Sequence, residues 1–179
     1  TRKSLIRNRY LGHTERVYGV EFNATGDRLL TCGGYPESAA RIWDVKSGKE
    51  IATLDHGKVP GFSGRGMTVS CARFSPDGKR VVTSTYQDGG HVYLWDVSGI
   101  GPSVESDPVI LTKPLEFPGH TDWVTSVAFR PRADHTQVAS DGSDRVASGG
   151  RDNVIRLWDP ETRKEVEAPL EGHTGWIRS

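Results

Sequence analysis

One segment of this chain is repeated along its length. The copy at 119–160 opens with Gly-His-Thr-Asp-Trp at 119–123 and closes with Ile-Arg-Leu-Trp-Asp at 155–159. Gly-His at 12–13 leads in the same way to Ile-Trp-Asp at 42–44, and Asp-His at 55–56 leads to Leu-Trp-Asp at 94–96. A further Gly-His at 172–173 begins another copy. A repeated sequence predicts a repeated structural unit that stacks on its neighbours.

The pattern within each copy indicates β-structure. Short runs rich in Val, Ile, Thr and aromatic residues are separated by turns of Gly, Pro, Asp and Asn, and no segment has a sustained helical period. We therefore predict an all-β chain. The predicted strands are 3–11, 17–22, 28–32, 39–45 and 50–54, then 68–74, 79–85, 91–97 and roughly 110–117, and finally 123–129, 145–148, 154–158 and 165–170.

The spacing of the repeat histidines tests this prediction. Successive histidines at 13, 56, 120 and 173 are 43, 64 and 53 residues apart. Units of four strands recur every ~40–45 residues, so the first interval fits and the other two contain insertions. We place the insertions at 57–66, 98–108 and 131–144, because these segments are polar or rich in Gly and Pro, as surface loops are.

Composition excludes several classes of function. Lys and Arg together number 23, equal to Asp and Glu, so no net charge would attract nucleic acid or an anionic membrane. The two cysteines, Cys32 and Cys71, lie in strand-like runs and fit a reducing compartment, so we expect a cytoplasmic protein. We expect no cofactor, because neither a phosphate-binding loop nor a pair of closely spaced metal ligands occurs.

The Gly-His and Trp-Asp pairs at this spacing resemble the WD-repeat family of β-propellers. The resemblance covers essentially the whole chain and implies an arc of about three four-stranded blades. It divides the sequence into the outer strand of a preceding blade at 1–11, repeats at 12–54, 55–118 and 119–171, and the start of a further repeat at 172–179. An arc leaves two apolar end faces uncovered. We therefore expect a larger ring, which by analogy with the family would have about seven blades, completed by the rest of the chain or by another copy.

The resemblance also implies a buried hydrogen-bond network in each repeat. It joins the Gly-His histidine to a Ser or Thr of the second strand, an Asp of the next turn and the Trp of the third strand. The third repeat offers His120, Ser148, Asp152 and Trp158, and the second offers His56, Ser84, Asp88 and Trp95. The first has His13 and Trp43, with Thr31 or Cys32 at the hydroxyl position and Glu37 in place of Asp.

His120, Ser148 and Asp152 are also the residue types of a hydrolase triad. We favour the structural interpretation, since the same set recurs once in every repeat and no oxyanion site accompanies it. Histidines one repeat apart would lie in separate blades, which argues against a shared metal site. We therefore predict neither catalytic residues nor metal ligands.

Positions that the repeat does not require are candidates for partner binding. The resemblance places two sets of residues around one face of the propeller, and exposed Trp, Tyr and Arg are typical anchors of protein interfaces. We expect a non-catalytic scaffold that binds a protein or peptide. The alternatives are a sensor or regulatory propeller fused to a kinase or ATPase domain, and a propeller with a ligand in its channel. The candidate residues are Arg16, Tyr35, Gln87, Trp123, Arg151 and Trp176.

Overall fold

The structure is a computed structural model that describes residues 12–57, 66–87, 89–101, 107–131 and 144–178. Every regular element in those ranges is a β-strand, which confirms the predicted all-β class. Within the same ranges, no helix is long and apolar enough to cross a membrane. The strand predicted at 3–11, the middle of each predicted insertion and Asp88 of the predicted network lie outside the described residues.

In the described ranges, twelve strands form three sheets that follow the order of the repeats. The first sheet has the order β1-β2-β3-β4-β8, the second β5-β6-β7-β9 and the third β10-β11-β12. The strands are β1 (Val17–Phe22), β2 (Arg28–Gly33), β3 (Ala39–Asp44), β4 (Glu50–Asp55), β5 (Val69–Phe74), β6 (Arg80–Thr85), β7 (Val92–Asp96), β8 (Val109–Leu111), β9 (Leu115–Phe117), β10 (Val124–Phe129), β11 (Val146–Gly150) and β12 (Ile155–Trp158).

The inner strand is the first strand of each sheet, namely β1, β5 and β10. The turns that follow β1 and β5 show why the chain reverses there. In the first sheet, Gly26 donates its N–H to the Asn23 carbonyl at 3.0 Å, and in the second, Gly78 bonds in the same way to Ser75 at 2.8 Å. Both glycines have positive φ, 72° and 67°. Glycine adopts this conformation without steric cost, so the sequence reverses at these points and the next strand pairs antiparallel.

The predicted fourth strand of the second repeat, at about 110–117, is wrong as one element. The structure divides it into β8 and β9, which belong to different sheets. β8 pairs parallel with β4 of the first sheet, whereas β9 pairs antiparallel with β7. Pro114 lies between them, and proline removes a ladder donor and restricts the backbone. The second repeat therefore contributes a short outer strand to its neighbour.

The predicted fourth strand of the third repeat, at 165–170, is present only as two isolated bridges. Ile155 is bridged to Leu170 and Trp158 to Glu165, both antiparallel. The segment thus follows the outer edge of β12 without forming a regular strand.

Two apolar layers separate the three sheets. Ile42 and Leu54 of the first sheet pack in one cluster with Val81 and Trp95 of the second. A second cluster joins Val82, Leu94 and Phe117 of the second sheet to Val127 and Trp158 of the third. Full burial of one such aliphatic side chain contributes about 1.5–3 kcal/mol. The core is therefore a set of layers between sheets, and each sheet depends on its neighbours.

The first sheet has an apolar face that no described sheet covers. The Glu21 carboxylate accepts the Phe74 N–H at 2.7 Å, so the Glu21 side chain is directed to the second sheet. Side chains alternate across a strand, so Val20 and Phe22 are directed away from it. They are 64% and 60% exposed.

Candidate functional site

A buried chain of hydrogen bonds crosses the third sheet. The Trp158 indole N–H donates to the Ser148 hydroxyl at 2.9 Å, that hydroxyl lies 2.7 Å from His120 Nε2, and His120 Nδ1 lies 2.7 Å from Asp152 Oδ2. Because a carboxylate only accepts, the His120 proton is on Nδ1 and the Ser148 hydroxyl donates to Nε2. Burial lowers the pKa of His120, although Asp152 acts in the opposite direction. All four residues of the predicted set meet here.

The first sheet contains the same chain with two different residues. Thr31 accepts the Trp43 indole N–H at 2.8 Å and lies 2.7 Å from His13 Nε2. Glu37 takes the place of the aspartate, with its Oε2 2.7 Å from His13 Nδ1. The longer side chain also reaches Arg41, which accordingly bonds to Glu37 through its Nε at 2.8 Å. The substitution of Glu for Asp therefore extends the network by one arginine.

Cys32, the alternative hydroxyl position in that sheet, lies in the apolar layer between the first and second sheets. Burial raises the pKa of its thiol to about 12, with a smaller contribution from Cys71. The network therefore uses Thr31.

The prediction that Ser84 provides the hydroxyl group of the network in the second sheet is wrong. Thr83 accepts the Trp95 indole N–H at 2.9 Å and lies 2.7 Å from His56 Nε2. Ser84 is on the opposite side of β6, where its hydroxyl lies 2.8 Å from that of Ser70. Adjacent residues of a strand face opposite sides of the sheet, so Thr83 reaches His56 and Trp95 and Ser84 does not.

Strand register in the structure explains why Thr83 takes this position. In all three sheets the hydroxyl residue pairs across the ladder with the residue two before the Trp. The pairs are Thr31 with Arg41, Thr83 with Tyr93 and Ser148 with Arg156.

His56 differs from the other two histidines in its second partner. Its Nδ1 donates to the Leu54 main-chain carbonyl at 3.0 Å. Burial lowers the pKa of His56 to about 4, so the ring is neutral at neutral pH. Asp88, the predicted partner, lies outside the described residues.

The arrangement of His120, Ser148 and Asp152 has the hydrogen-bond order of a catalytic triad, but not its accessibility. Ser148 is 2% exposed, and its hydroxyl both accepts from Trp158 and donates to His120. A nucleophile must reach a substrate and an adjacent oxyanion site, and a hydroxyl enclosed between two sheets cannot. The geometry serves to fix β10, β11 and β12 to one another.

A second set of residues lies at the start of the inner strands. The Arg151 guanidinium carbon is 4.2 Å from the centroid of the Trp123 ring and 3.7 Å from that of Trp176. The arginine is thus held between two indole faces, an arrangement that favours the cation electrostatically. Three of the six candidate face residues are brought together in this way.

The other three candidates, Arg16, Tyr35 and Gln87, do not join them. Tyr35 and Gln87 are each one residue past the position equivalent to Arg151. A main-chain hydrogen bond that recurs in each sheet defines this position. It joins the Gly34 N–H to the Arg16 carbonyl at 3.1 Å, the Tyr86 N–H to the Thr68 carbonyl at 3.0 Å and the Arg151 N–H to the Trp123 carbonyl at 2.8 Å.

Gln87 has a local structural role instead. Its side-chain carbonyl accepts the Thr68 N–H at 2.8 Å, and its amide donates to the Thr68 hydroxyl at 3.1 Å. Arg16 and Tyr35 are exposed.

Two tyrosines that the sequence interpretation missed extend the stack. Tyr86 stacks on Trp123 with ring centroids 5.1 Å apart, and Tyr18 meets Tyr86 edge to face at 6.1 Å. A Cβ at Gly34 would lie 2.8 Å from the Tyr18 ring, so the glycine leaves room for that ring. A glycine at position 34, together with an aromatic residue at the start of β1, is the sequence signal that could have indicated Tyr18.

We call this stack the aromatic row. It is defined by Tyr18, Tyr86, Trp123, Arg151, Trp176 and Arg178. Together with Ser70 and Thr125, these residues line an open cavity of about 380 Å³. Tyr18 and Trp123 lie at the start of the inner strands β1 and β10, and Tyr86 and Arg151 directly follow the second strands β6 and β11, so the fold sets these side chains in one line.

Comparison with known proteins is consistent with this geometry. The family model described as "WD domain, G-beta repeat" matches residues 4–44, 49–96 and 111–159. The chain is 24% identical over 162 residues to a guanine nucleotide-binding protein subunit beta-like protein of Encephalitozoon cuniculi, covering 90% of this chain and 40% of that one. It is 27% identical over 171 residues to eukaryotic translation initiation factor 3 subunit I of Culex quinquefasciatus, covering 94% and 45%.

A solved structure, that of U3-55K, superposes with a TM-score of 0.67 at 22% sequence identity. The match covers 92% of this chain and 42% of that chain, and it supports the fold alone. The chain therefore spans less than half the length of these similar proteins.

Proposed function

The chain belongs to the WD40 family, and from this premise we propose that it provides a rigid face for a protein or peptide partner and catalyses no reaction. The aromatic row is the contact surface. The observation that carries the proposal is the Arg151 guanidinium held between the exposed rings of Trp123 and Trp176, because Trp, Tyr and Arg dominate the binding energy of protein interfaces.

Exposure of the row supports a binding role over a purely structural one. Trp176 is 53%, Tyr18 47% and Trp123 39% exposed, whereas the three Trp residues of the networks are at most 2% exposed. A large aromatic side chain that remains exposed to solvent contributes little to the stability of the fold. Such side chains become favourable when a partner covers them.

We also propose that the protein functions in the cytoplasm. The thiols of Cys32 and Cys71 are free and buried, which suits a reducing environment such as the cytoplasm. One of the similar proteins is named as a subunit of a translation initiation factor, which by its name works within an assembly.

The test compares the full-length protein with its Trp123→Ala variant after tagging and purification from the native cells. Proteins that co-purify with the wild type are expected to be lost from Trp123→Ala, while its melting temperature stays within a few degrees. Glu167→Ala is the matched control, because Glu167 is exposed on the outer segment of the third repeat, away from the row. Unchanged co-purification, or unfolding without a change in binding per folded molecule, would contradict the proposal.

A further inference from the structure

We propose that the segment bound at the aromatic row is acidic: carboxylates of the partner pair with Arg151 and Arg178, and an apolar side chain beside them fills the cavity. This inference rests on the proposed function and specifies the chemistry of the partner at that same surface.

Arg151 differs from Arg41 and Arg156 because it has no carboxylate partner in the described part of the chain. Arg41 and Arg156 occupy equivalent ladder positions and each pairs with a glutamate nine residues later, at 2.5 Å and 2.9 Å. Among the residues that the structure describes, the Arg151 guanidinium lies against two aromatic rings and has no carboxylate partner. Within the same residues its buried Nε has no hydrogen-bond acceptor, a feature that it shares with Arg156. A guanidinium held in place and left without an anion is prepared for a carboxylate, with which it pairs through two parallel hydrogen bonds.

The lining of the cavity has charge of one sign. Of its eight described lining residues, Arg151 and Arg178 are charged and both are cations. The Arg178 guanidinium carbon lies 5.6 Å from the Trp176 centroid, so it stands at the end of the same stack. The neighbouring Asp152, which could have neutralised this charge, is instead bonded to His120.

The hydroxyl groups of the cavity add donors. Ser70 and Thr125 are engaged, since each donates to a main-chain carbonyl within the fold. The hydroxyls of Tyr18 and Tyr86 have no hydrogen-bond partner in the described part of the chain, and burial raises the pKa of Tyr86 so that its proton is retained. These hydroxyls can therefore donate to a carboxylate, while the rings and indoles around them accept an apolar side chain.

The charge of the whole chain favours a short acidic segment over a long polyanion. Positive and negative residues balance at 23 each, so the chain has no net positive charge to attract a long polyanion. Nucleic-acid binding draws most of its affinity from many simultaneous phosphate contacts along a basic surface. A peptide segment with a few carboxylates and one apolar side chain would pair its carboxylates with Arg151 and Arg178 and place the apolar side chain in the cavity.

The experiment uses full-length protein and fluorescence anisotropy with a labelled octapeptide, Gly-Asp-Glu-Phe-Leu-Glu-Asp-Gly. Its analogue with Asn and Gln in place of Asp and Glu is the matched probe. We expect the acidic peptide to bind at least about tenfold more tightly than the amide analogue, and Arg151→Ala to remove most of that difference. Lys164→Ala removes a positive charge from an exposed outer turn and should leave binding unchanged.

Arg178→Ala and Tyr86→Phe serve as further variants, so the test stands even if Arg151→Ala does not fold. Affinities of the two peptides that agree within about twofold would overturn the inference. Tighter binding of an octauridylate single strand, with loss of that binding in Arg151→Ala, would also overturn it in favour of nucleic acid.

Failure of the inference is distinguishable from failure of the proposed function. If co-purifying proteins depend on Trp123 but are neither displaced by the acidic peptide nor sensitive to Arg151→Ala, the surface binds a partner of different chemistry. If they do not depend on Trp123, the surface is not the binding face.

Discussion

The Ser70 hydroxyl donates a hydrogen bond of 2.6 Å to the main-chain carbonyl of Val124, and so joins the inner strands of two neighbouring sheets. The relationship recurs one repeat later, where the Thr125 hydroxyl donates to the Ile177 carbonyl. Ser70 and Thr125 are each the second residue of an inner strand, at the irregularity that all three inner strands share. The sheets are thus connected by a repeated polar contact as well as by their apolar layers.

Replacement of Ser70 by Ala is expected to lower the free energy of unfolding by about 1 kcal/mol, because a buried carbonyl loses its donor. Ser70→Thr is the control, since threonine already fills the equivalent position at Thr125 and keeps the hydroxyl. Chemical denaturation of the full-length protein measures both. Equal losses in the two variants would indicate a packing effect and not the hydrogen bond.

The hydroxyl of each buried network is expected to tolerate exchange between Ser and Thr but not its removal. Ser148→Ala would leave His120 and Trp158 without their shared partner, at a cost of about 1–3 kcal/mol. Ser148→Thr should stay close to wild type, because Thr31 and Thr83 make the same contacts. Thermal melts of the two variants test this, and an alanine variant as stable as wild type would refute the assigned role.

Stability is expected to fall as pH decreases from about 6.5 to about 4, in part because of His56. Its pKa is about 4 in the folded protein against 6.5 without burial. Across that interval the unfolded chain binds a proton that the folded protein does not, so acid favours unfolding. The full effect is about 3 kcal/mol.

The measurement is the free energy of unfolding at pH 7 and pH 5 for wild type and His56→Asn. The variant should show a smaller pH dependence, whatever its stability at pH 7. Burial lowers the pKa of His120 as well, so part of the dependence should remain. An unaltered slope in His56→Asn would show that other groups account for it.

Residues 1–179 produced alone are expected to aggregate or to pair, because Val20 and Phe22 form an uncovered apolar face on the first sheet. Repeat proteins cover such terminal faces with further repeats or polar caps, and we propose that additional blades do so here. Light scattering gives the mass of residues 1–179 in solution. A stable monomer would contradict the proposal, whereas a discrete dimer would indicate closure by a second copy.

The repeat alone determined the class of fold, the order of the sheets and most of the buried polar residues. The Gly-His and Trp-Asp pairs are local features of the sequence, and the family resemblance that they carry places His120, Ser148, Asp152 and Trp158 without knowledge of any long-range contact. Turn residues such as Gly78 add the points at which strands reverse. These features are predictable because each depends on residues within a single repeat.

Only the tertiary structure decided the features that depend on strand register or on contacts between two repeats. The pairing of β8 with the first sheet, the selection of Thr83 over Ser84 and the edge-to-face contact of Tyr18 with Tyr86 follow from strand register and from contacts between sheets. A shift of one residue in a strand transfers a side chain to the opposite face. The sequence pattern does not carry that register, because the energy that selects it comes from the packing of one sheet against the next.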